Sequence, residues 1–226
     1  MLKYINTQVV FQEFPGETTL AINISGCPNH CPDCHSKWLW EDTGNPLTTE
    51  VLDALLKPYK EPGMITCVGF MGGDQDCRTV KNLARWVKEN YPHLKVGWYS
   101  GRNKWSDNLM EGFDYVKFGP YRKECGGLDS RTTNQVMYKY IKHVDRWLDI
   151  TKYFQTKNED FHKFVNDFEK IIQLIEWTQH NTSYAMLGIV PDGNGGVKKV
   201  EPEFTPVEVI FEVHKATLEK YFEEHC

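Results

Sequence analysis

The residues with the clearest chemical potential are three cysteines in one short loop, "GCPNHCPDCHSKWLW" at 26–40. Cys27, Cys31 and Cys34 are separated by three residues and then by two. Thiolates this close in sequence can converge on one metal centre, but they are one ligand short of the four that close a structural zinc site. A 4Fe–4S cluster held by three cysteines would instead keep one iron open to a substrate or cofactor. The spacing therefore favours an open iron–sulfur cluster and leaves zinc as the alternative.

The zinc alternative needs a fourth ligand from another position, and it would make the chain a binding module without catalysis. Zinc ligands are usually arranged as two separated pairs, whereas this loop carries a single compact triple. The available donors are two histidines of the same loop and three further cysteines: His30, His35, Cys67, Cys77 and Cys125.

Composition narrows the class of protein. The chain has 226 residues, of which 40% are hydrophobic, enough for one core and an appended lobe. Its net charge of −5 gives no basic footprint for nucleic acid. The sequence has neither a secretory signal nor an apolar run of about 18 residues, so we expect no membrane partner. Seven cysteines in such a chain indicate reduced thiols and a cytoplasmic location.

Alternating strand and helix patterns surround the cysteine loop. Leu20, Ile22 and Ile24 recur at period two and predict a half-buried strand, and Thr48 or Thr49 is a plausible N-cap for the first helix. The predicted strands are "TTLAINIS" (18–25), "MITCVGFMGG" (64–73), "KVGWYSG" (95–101) and "DYVKFGP" (114–120). The predicted helices between them are "LTTEVLDALL" (47–56) and "CRTVKNLARWVKENY" (77–91), the latter with Val80, Leu83, Ala84 and Val87 at helical spacing.

This alternation predicts an α/β fold with a mostly parallel sheet. In such sheets, ligands collect at the carboxyl ends of the strands. Those ends are where the cysteine loop, "MGGDQD", "YSG" and "GPY" fall. We therefore expect these four segments to meet at one edge of the sheet.

The pattern changes near residue 141. The segment 159–177 has the apolar stripe of an amphipathic helix, and "PDGNGG" at 191–196 predicts the turn of a hairpin. Thr205 is the expected N-cap of a last helix. We therefore predict two regions, a first domain over 1–140 and a C-terminal α+β extension over 141–226.

The cysteine spacing after the first strand of an alternating fold resembles the radical S-adenosylmethionine (SAM) superfamily. Within it, the chain resembles the activating enzymes of anaerobic, class III ribonucleotide reductases. The similarity covers about residues 1–140. The motif "GGLDSRTTNQ" at 126–135 is much more specific to this family than the cysteine triple, which a very broad superfamily shares. The matching segments are "VVFQEFPGETTLAINISGCPNHCPDCHSKWLW", "MGGDQD", "WYSGR" and "FGPYRKECGGLDSRTTNQVMY".

The resemblance implies a partial (β/α) barrel of the radical SAM type. Cys27, Cys31 and Cys34 would ligate three irons, and the fourth iron would bind the amino and carboxylate groups of SAM. No catalytic side chain is implied beyond these ligands. Asp33, just before the third cysteine, stands where many such enzymes carry an aromatic residue.

The same resemblance implies the SAM contacts. Gly72 and Gly73 would let the backbone approach the methionine part of SAM, although a tight turn alone also explains them. Asp74 replaces the glutamate that is usual in the family and would accept a bond from the SAM ammonium, with Gln75 as the neighbouring candidate. The remaining implied contacts are Ser100 for the carboxylate or ribose, His35 for the adenine through its backbone, and Asn134 with Gln135 at the border of the SAM or partner site.

The implied reaction is the generation of a glycyl radical on a partner protein. An electron from a flavodoxin-like donor would pass through the cluster to SAM and release methionine and a 5′-deoxyadenosyl radical. That radical would remove a hydrogen from a glycine of the anaerobic ribonucleoside-triphosphate reductase. A small-molecule substrate or another glycyl-radical enzyme is the alternative. The extension would either help to dock the reductase or cover the open edge of the sheet.

Overall fold

The computed structural model describes residues 1–61, 63–103, 110–142, 145–155, 189–191 and 197–199. The chain divides into two compact units, Met1–Tyr140 with Asp149–Lys157 and Ile141–Leu148 with Asn158–Cys226. The first unit holds the cysteine loop and every candidate site residue. The role predicted for residues 141–226 stays a prediction.

Seven strands form the sheet of the first unit. They are β1 (Lys3–Val10), β2 (Thr19–Ile24), β3 (Asn45–Pro46), β4 (Cys67–Met71), β5 (Lys95–Tyr99), β6 (Tyr115–Phe118) and β7 (Val136–Ile141). Their order is β3-β1-β2-β4-β5-β6-β7, with β2, β4, β5 and β6 paired in parallel. The pairs β1–β2, β1–β3 and β6–β7 are antiparallel. The four predicted strands are therefore confirmed, while the partial barrel stays a prediction.

The two helices between the parallel strands begin at side-chain caps. In α1 (Thr49–Leu56), the hydroxyl of Thr48 accepts a hydrogen bond from the Val51 N–H at 3.3 Å, which settles the cap on Thr48. In α2 (Cys77–Asn90), Asp76 accepts from the Thr79 N–H at 3.0 Å. The four apolar residues predicted for one face of α2 are its buried residues, Val80, Leu83, Ala84 and Val87.

The strand β2 is buried on both faces, so the prediction of a half-buried strand is wrong. Thr19 and Ala21, which alternate with its apolar residues, are also buried. The reason is Phe14, a fully buried ring that lies over this face of the sheet. The Phe14 ring lies against two glycines on this face, Gly69 in β4 and Gly97 in β5. Gly69 is paired with Ala21 of β2 on one side and with Gly97 on the other.

Gly97→Ala is expected to destabilise the protein. A Cβ at this position would lie 2.1 Å from the Phe14 ring, which also packs on Tyr115 at 5.2 Å between ring centroids and on Tyr99 at 5.4 Å. Overpacking of this kind costs about 1–3 kcal/mol in the free energy of unfolding, measurable by urea denaturation. In a double-mutant cycle, Phe14→Leu should absorb part of that loss. An alanine variant as stable as the wild type would contradict the packing described.

Other described elements include β8 (Arg146–Asp149), α3 (Lys152–Gln155), β9 (Ile189–Pro191) and β10 (Val197–Lys199). The strands β9 and β10 pair in antiparallel register, as the predicted hairpin requires. The helices predicted over 159–177 and after Thr205 lie outside the described residues. Within the part of the chain that is described, no helix has the length and apolar character needed to cross a bilayer.

Candidate metal centre

The carboxyl ends of the four parallel strands meet at one edge of the sheet, as predicted. Backbone hydrogen bonds join the segments that follow them. The Gly72 N–H donates to the Tyr99 carbonyl at 3.0 Å, and the Ser100 N–H donates to the Lys117 carbonyl at 2.8 Å. The cysteine loop follows β2 at this same edge. The candidate site residues of four separate segments therefore lie at one edge of the sheet.

The cysteine loop is closed by its own contacts. The Cys27 N–H donates to the Leu39 carbonyl at 3.0 Å, which ties the start of the loop to its end. The His30 ring stacks on Trp40 with centroids 4.8 Å apart and planes 5° from parallel. The Lys37 ammonium lies 5.5 Å from the centre of the same indole ring. These contacts hold a fixed loop geometry around the thiols.

All three thiols are half-buried, and two of them accept N–H donors. The Asn29 side-chain amide lies 3.8 Å from the Cys27 Sγ, and the Ser36 N–H donates to the Cys34 Sγ at 3.3 Å. Burial raises the pKa of Cys27, and backbone N–H donors from Asn29 and His30 act in the opposite direction. Because N–H donors stabilise sulfur that carries negative charge, this environment fits an iron–sulfur cluster.

Asp74 is a hydrogen-bonded junction between the cysteine loop and the end of β5. Its buried carboxylate accepts hydrogen bonds from the Asn29 amide at 2.5 Å, the Ser100 hydroxyl at 2.6 Å and the Gly101 N–H at 2.8 Å. Arg102 donates to the Asp74 carbonyl at 2.9 Å. Both carboxylate oxygens of Asp74 therefore already have partners within the protein. Direct bonds from SAM to Asp74 or Ser100 stay predictions.

The neighbours of Asp74 have packing roles that the structure makes visible. Gly72 and Gly73 have φ angles of 106° and 95°, a region that favours glycine. A Cβ on Gly73 would lie 2.5 Å from Val80 of α2, so close packing also requires this glycine. The Gln75 amide donates to the Ser25 carbonyl at 2.6 Å and fastens the turn to the end of β2. Their predicted contacts with SAM stay predictions.

The segment after β6 lies beside the cysteine loop. The His35 ring contacts the Tyr121 ring with centroids 4.6 Å apart. The Asn134 amide nitrogen donates to the Pro120 carbonyl at 2.9 Å, and Gln135 donates to the Gly119 carbonyl at 3.3 Å. The Asn134 Oδ1 is buried and has no hydrogen-bond partner among the described residues. An acceptor left unpaired in this way is suited to a bound ligand.

Lys117 is the site residue that the sequence did not single out. It lies in β6 with 9% of its surface exposed, and its ammonium donates to the Gly119 carbonyl at 3.0 Å. Burial lowers the pKa of Lys117 to about 8, against the opposing influence of negative charge at Cys31, Asp74, Glu13 and Cys34. The available signal was a single lysine inside the apolar run "YVKF". A buried cation whose pKa responds to charge at two candidate ligands helps to balance an anionic centre.

The donors considered for zinc are placed as follows. His30 and His35 make the ring contacts described above, and the Cys77 thiol donates to the Asp74 carbonyl at 3.5 Å. Cys67 is the first residue of β4, and burial raises its pKa well above the usual value. Cys125 is half-buried in the segment after β6. Over the described ranges, no three His, Cys, Asp or Glu side chains form a group suited to a single metal ion.

Comparison with known families gives one match. A family model described as a 4Fe-4S single cluster domain matches residues 15–116, just under half of the chain. The matched span includes the three loop cysteines and the turn at 72–75. It supports a 4Fe–4S cluster as a cofactor and an iron–sulfur function for this chain. Searches of curated proteins and of solved structures find no match.

Proposed function

We propose that this protein is a radical SAM activase. Cys27, Cys31 and Cys34 hold a 4Fe–4S cluster, and the enzyme generates a glycyl radical on the anaerobic ribonucleotide reductase. The match to a 4Fe-4S single cluster domain supports the cofactor. When bound, the cluster supplies the electron that splits SAM into methionine and a 5′-deoxyadenosyl radical. The partial (β/α) barrel and the flavodoxin-like electron donor belong to the same proposal.

One observation carries the choice of an activase. The contact between His35 and Tyr121, at 4.6 Å, places the cysteine loop beside the segment that contains "GGLDSRTTNQ". Of the segments that resemble reductase-activating enzymes, this one is the most specific to that family. Hydrogen abstraction requires the reacting atoms to approach within about 3–3.5 Å, so a partner-recognition segment must lie next to the radical source.

The side chains at the carboxyl end of the sheet provide a platform for SAM. Asn23, Met71, Tyr99 and Lys117 are paired in register across four parallel strands, so they share one face. Lys117 contributes a buried ammonium and Met71 an apolar, polarizable surface. The unpaired oxygen of Asn134 offers an acceptor for an N–H or O–H group of the ligand. We assign orientation of SAM to this row and retention of the cluster to the cysteine loop.

The test is anaerobic reconstitution with iron and sulfide, followed by incubation with SAM, a reductant and a class III reductase. We expect an electron paramagnetic resonance signal that changes when SAM is added, formation of 5′-deoxyadenosine, and a glycyl radical on the reductase. Cleavage of SAM without a radical on the reductase would favour a small molecule or another glycyl-radical enzyme as substrate. Stoichiometric zinc and no cluster would overturn the assignment.

A further inference from the structure

We propose that Asn29 is a positioning residue that sets the reduction potential of the cluster by linking Cys27 to Asp74. This inference depends on the 4Fe–4S cluster of the proposed function. Asn29 lies between the first two cysteines of the loop, and no part of the resemblance gives it a role.

The side-chain amide of Asn29 connects two groups that carry negative charge. Its nitrogen lies 2.5 Å from the Asp74 Oδ2 and 3.8 Å from the Cys27 Sγ. An amide nitrogen carries two hydrogens, so it can donate to the carboxylate and to the sulfur at the same time. Asn29 therefore separates two charges that would otherwise repel each other directly.

Asp74 and Gly101 fix the orientation of this amide. The Asp74 carboxylate is itself held by the Ser100 hydroxyl at 2.6 Å and the Gly101 N–H at 2.8 Å. A Cβ on Gly101 would lie 2.4 Å from the Asn29 nitrogen, so the amide packs directly against the end of β5. The donor that faces Cys27 is thus positioned by tertiary contacts and is not free to rotate.

The conformation of the loop backbone fits the same arrangement. His30 has a φ of 43°, the left-handed conformation that turns successive N–H groups towards one anion. The Asn29 amide is the side-chain donor at Cys27, whereas the Ser36 N–H is the donor at Cys34.

These contacts have opposite effects on an iron–sulfur cluster. N–H donors to a ligating sulfur stabilise the reduced state because it carries more negative charge, and they raise the reduction potential. The Asp74 carboxylate is joined to Cys27 through a single amide nitrogen, so its negative charge lies near the cluster and lowers the potential. Asn29 therefore makes the cluster easier to reduce, and Asp74 makes it harder to reduce.

The test compares anaerobically reconstituted full-length wild type, Asn29→Ala and Asp74→Asn by redox titration monitored by electron paramagnetic resonance, with iron content measured in parallel. We expect a more negative midpoint potential for Asn29→Ala and a more positive one for Asp74→Asn. The matched control is Asn90→Ala, because the Asn90 amide donates to a backbone carbonyl at the end of α2, and its potential should equal that of the wild type.

A purely structural role predicts a different result, namely less iron in both variants and an unchanged potential in the clusters that remain. That result would overturn the inference, as would shifts of the same sign in both variants. If Asn29→Ala retains no iron, Asn29→Leu keeps most of the volume without a donor, and the sign of its shift then decides.

Failure of this inference can be told apart from failure of the proposed function. A wild-type cluster that does not cleave SAM refutes the activase, while opposite shifts of potential still support the role of Asn29. Unchanged potentials in an enzyme that does activate the reductase refute only the role of Asn29. A wild type that binds no cluster refutes both.

Discussion

Replacing any one of Cys27, Cys31 and Cys34 with alanine is expected to abolish stable binding of the 4Fe–4S cluster. In the proposed site each thiolate ligates a different iron, so each of these variants would leave the cluster with only two protein ligands. Iron content after anaerobic reconstitution should fall from about four atoms per chain to background. Iron–sulfur absorbance and the paramagnetic signal of the reduced protein should be lost with it.

Two other cysteines provide matched controls for this result. Cys125→Ala removes a half-buried thiol outside the loop, and we expect its iron content to equal that of the wild type. Cys67→Ala removes a fully buried thiol of β4 and should lower stability without removing iron. Full iron content in any one of the three loop variants would show that the corresponding cysteine is not a ligand.

Lys117→Met is expected to stabilise the cluster-free protein at pH 7 and to weaken cluster retention. Burial lowers the pKa of Lys117 from 10.5 to about 8, so the folded chain at pH 7 carries a charge that its surroundings disfavour. This shift corresponds to about 3 kcal/mol of free energy of unfolding. Methionine has a similar length and no charge, and it removes that cost.

The effect of Lys117 depends on pH with a definite sign. Between pH 8 and 10.5, the unfolded chain binds a proton at this lysine that the folded chain has released, so the wild type gains stability as pH rises. The advantage of Lys117→Met should therefore be full below pH 8 and shrink towards pH 10.5. Urea denaturation of both cluster-free proteins at several pH values measures this difference.

After reconstitution with the cluster, the wild type should be favoured over Lys117→Met. Negative charge at Cys31 and Cys34 raises the pKa of Lys117, so in the proposed site the cluster would add charge that the wild-type ammonium offsets and methionine does not. We expect Lys117→Met to lose iron faster than the wild type when a chelator is added. Lys123→Met, at an exposed position, is the control and should change neither property. A methionine variant that is less stable than the wild type at every pH would contradict the burial of a charged lysine.

The sequence by itself determined the elements whose signals are local. The period of β2, the apolar run of β4 and the stripe of α2 can each be read within one short segment of sequence, and the structure has all three elements where they were predicted. The spacing of the loop cysteines is local in the same way. Alternation of strand and helix was enough to bring the four strand ends to one edge of the sheet.

Only the tertiary structure decided which side chains contact each other at and beneath those strand ends. Asp74, expected to bind SAM, is held by Asn29, which is 45 positions away along the chain. Phe14 buries the second face of β2 because it lies over Gly69 and Gly97, and no periodicity within β2 predicts that contact. Lys117 became a site residue only because the folded sheet buries it and exposes its pKa to the charge of Cys31 and Cys34. Partners this distant in sequence leave no local pattern, since burial and hydrogen bonding across strands depend on the assembled sheet.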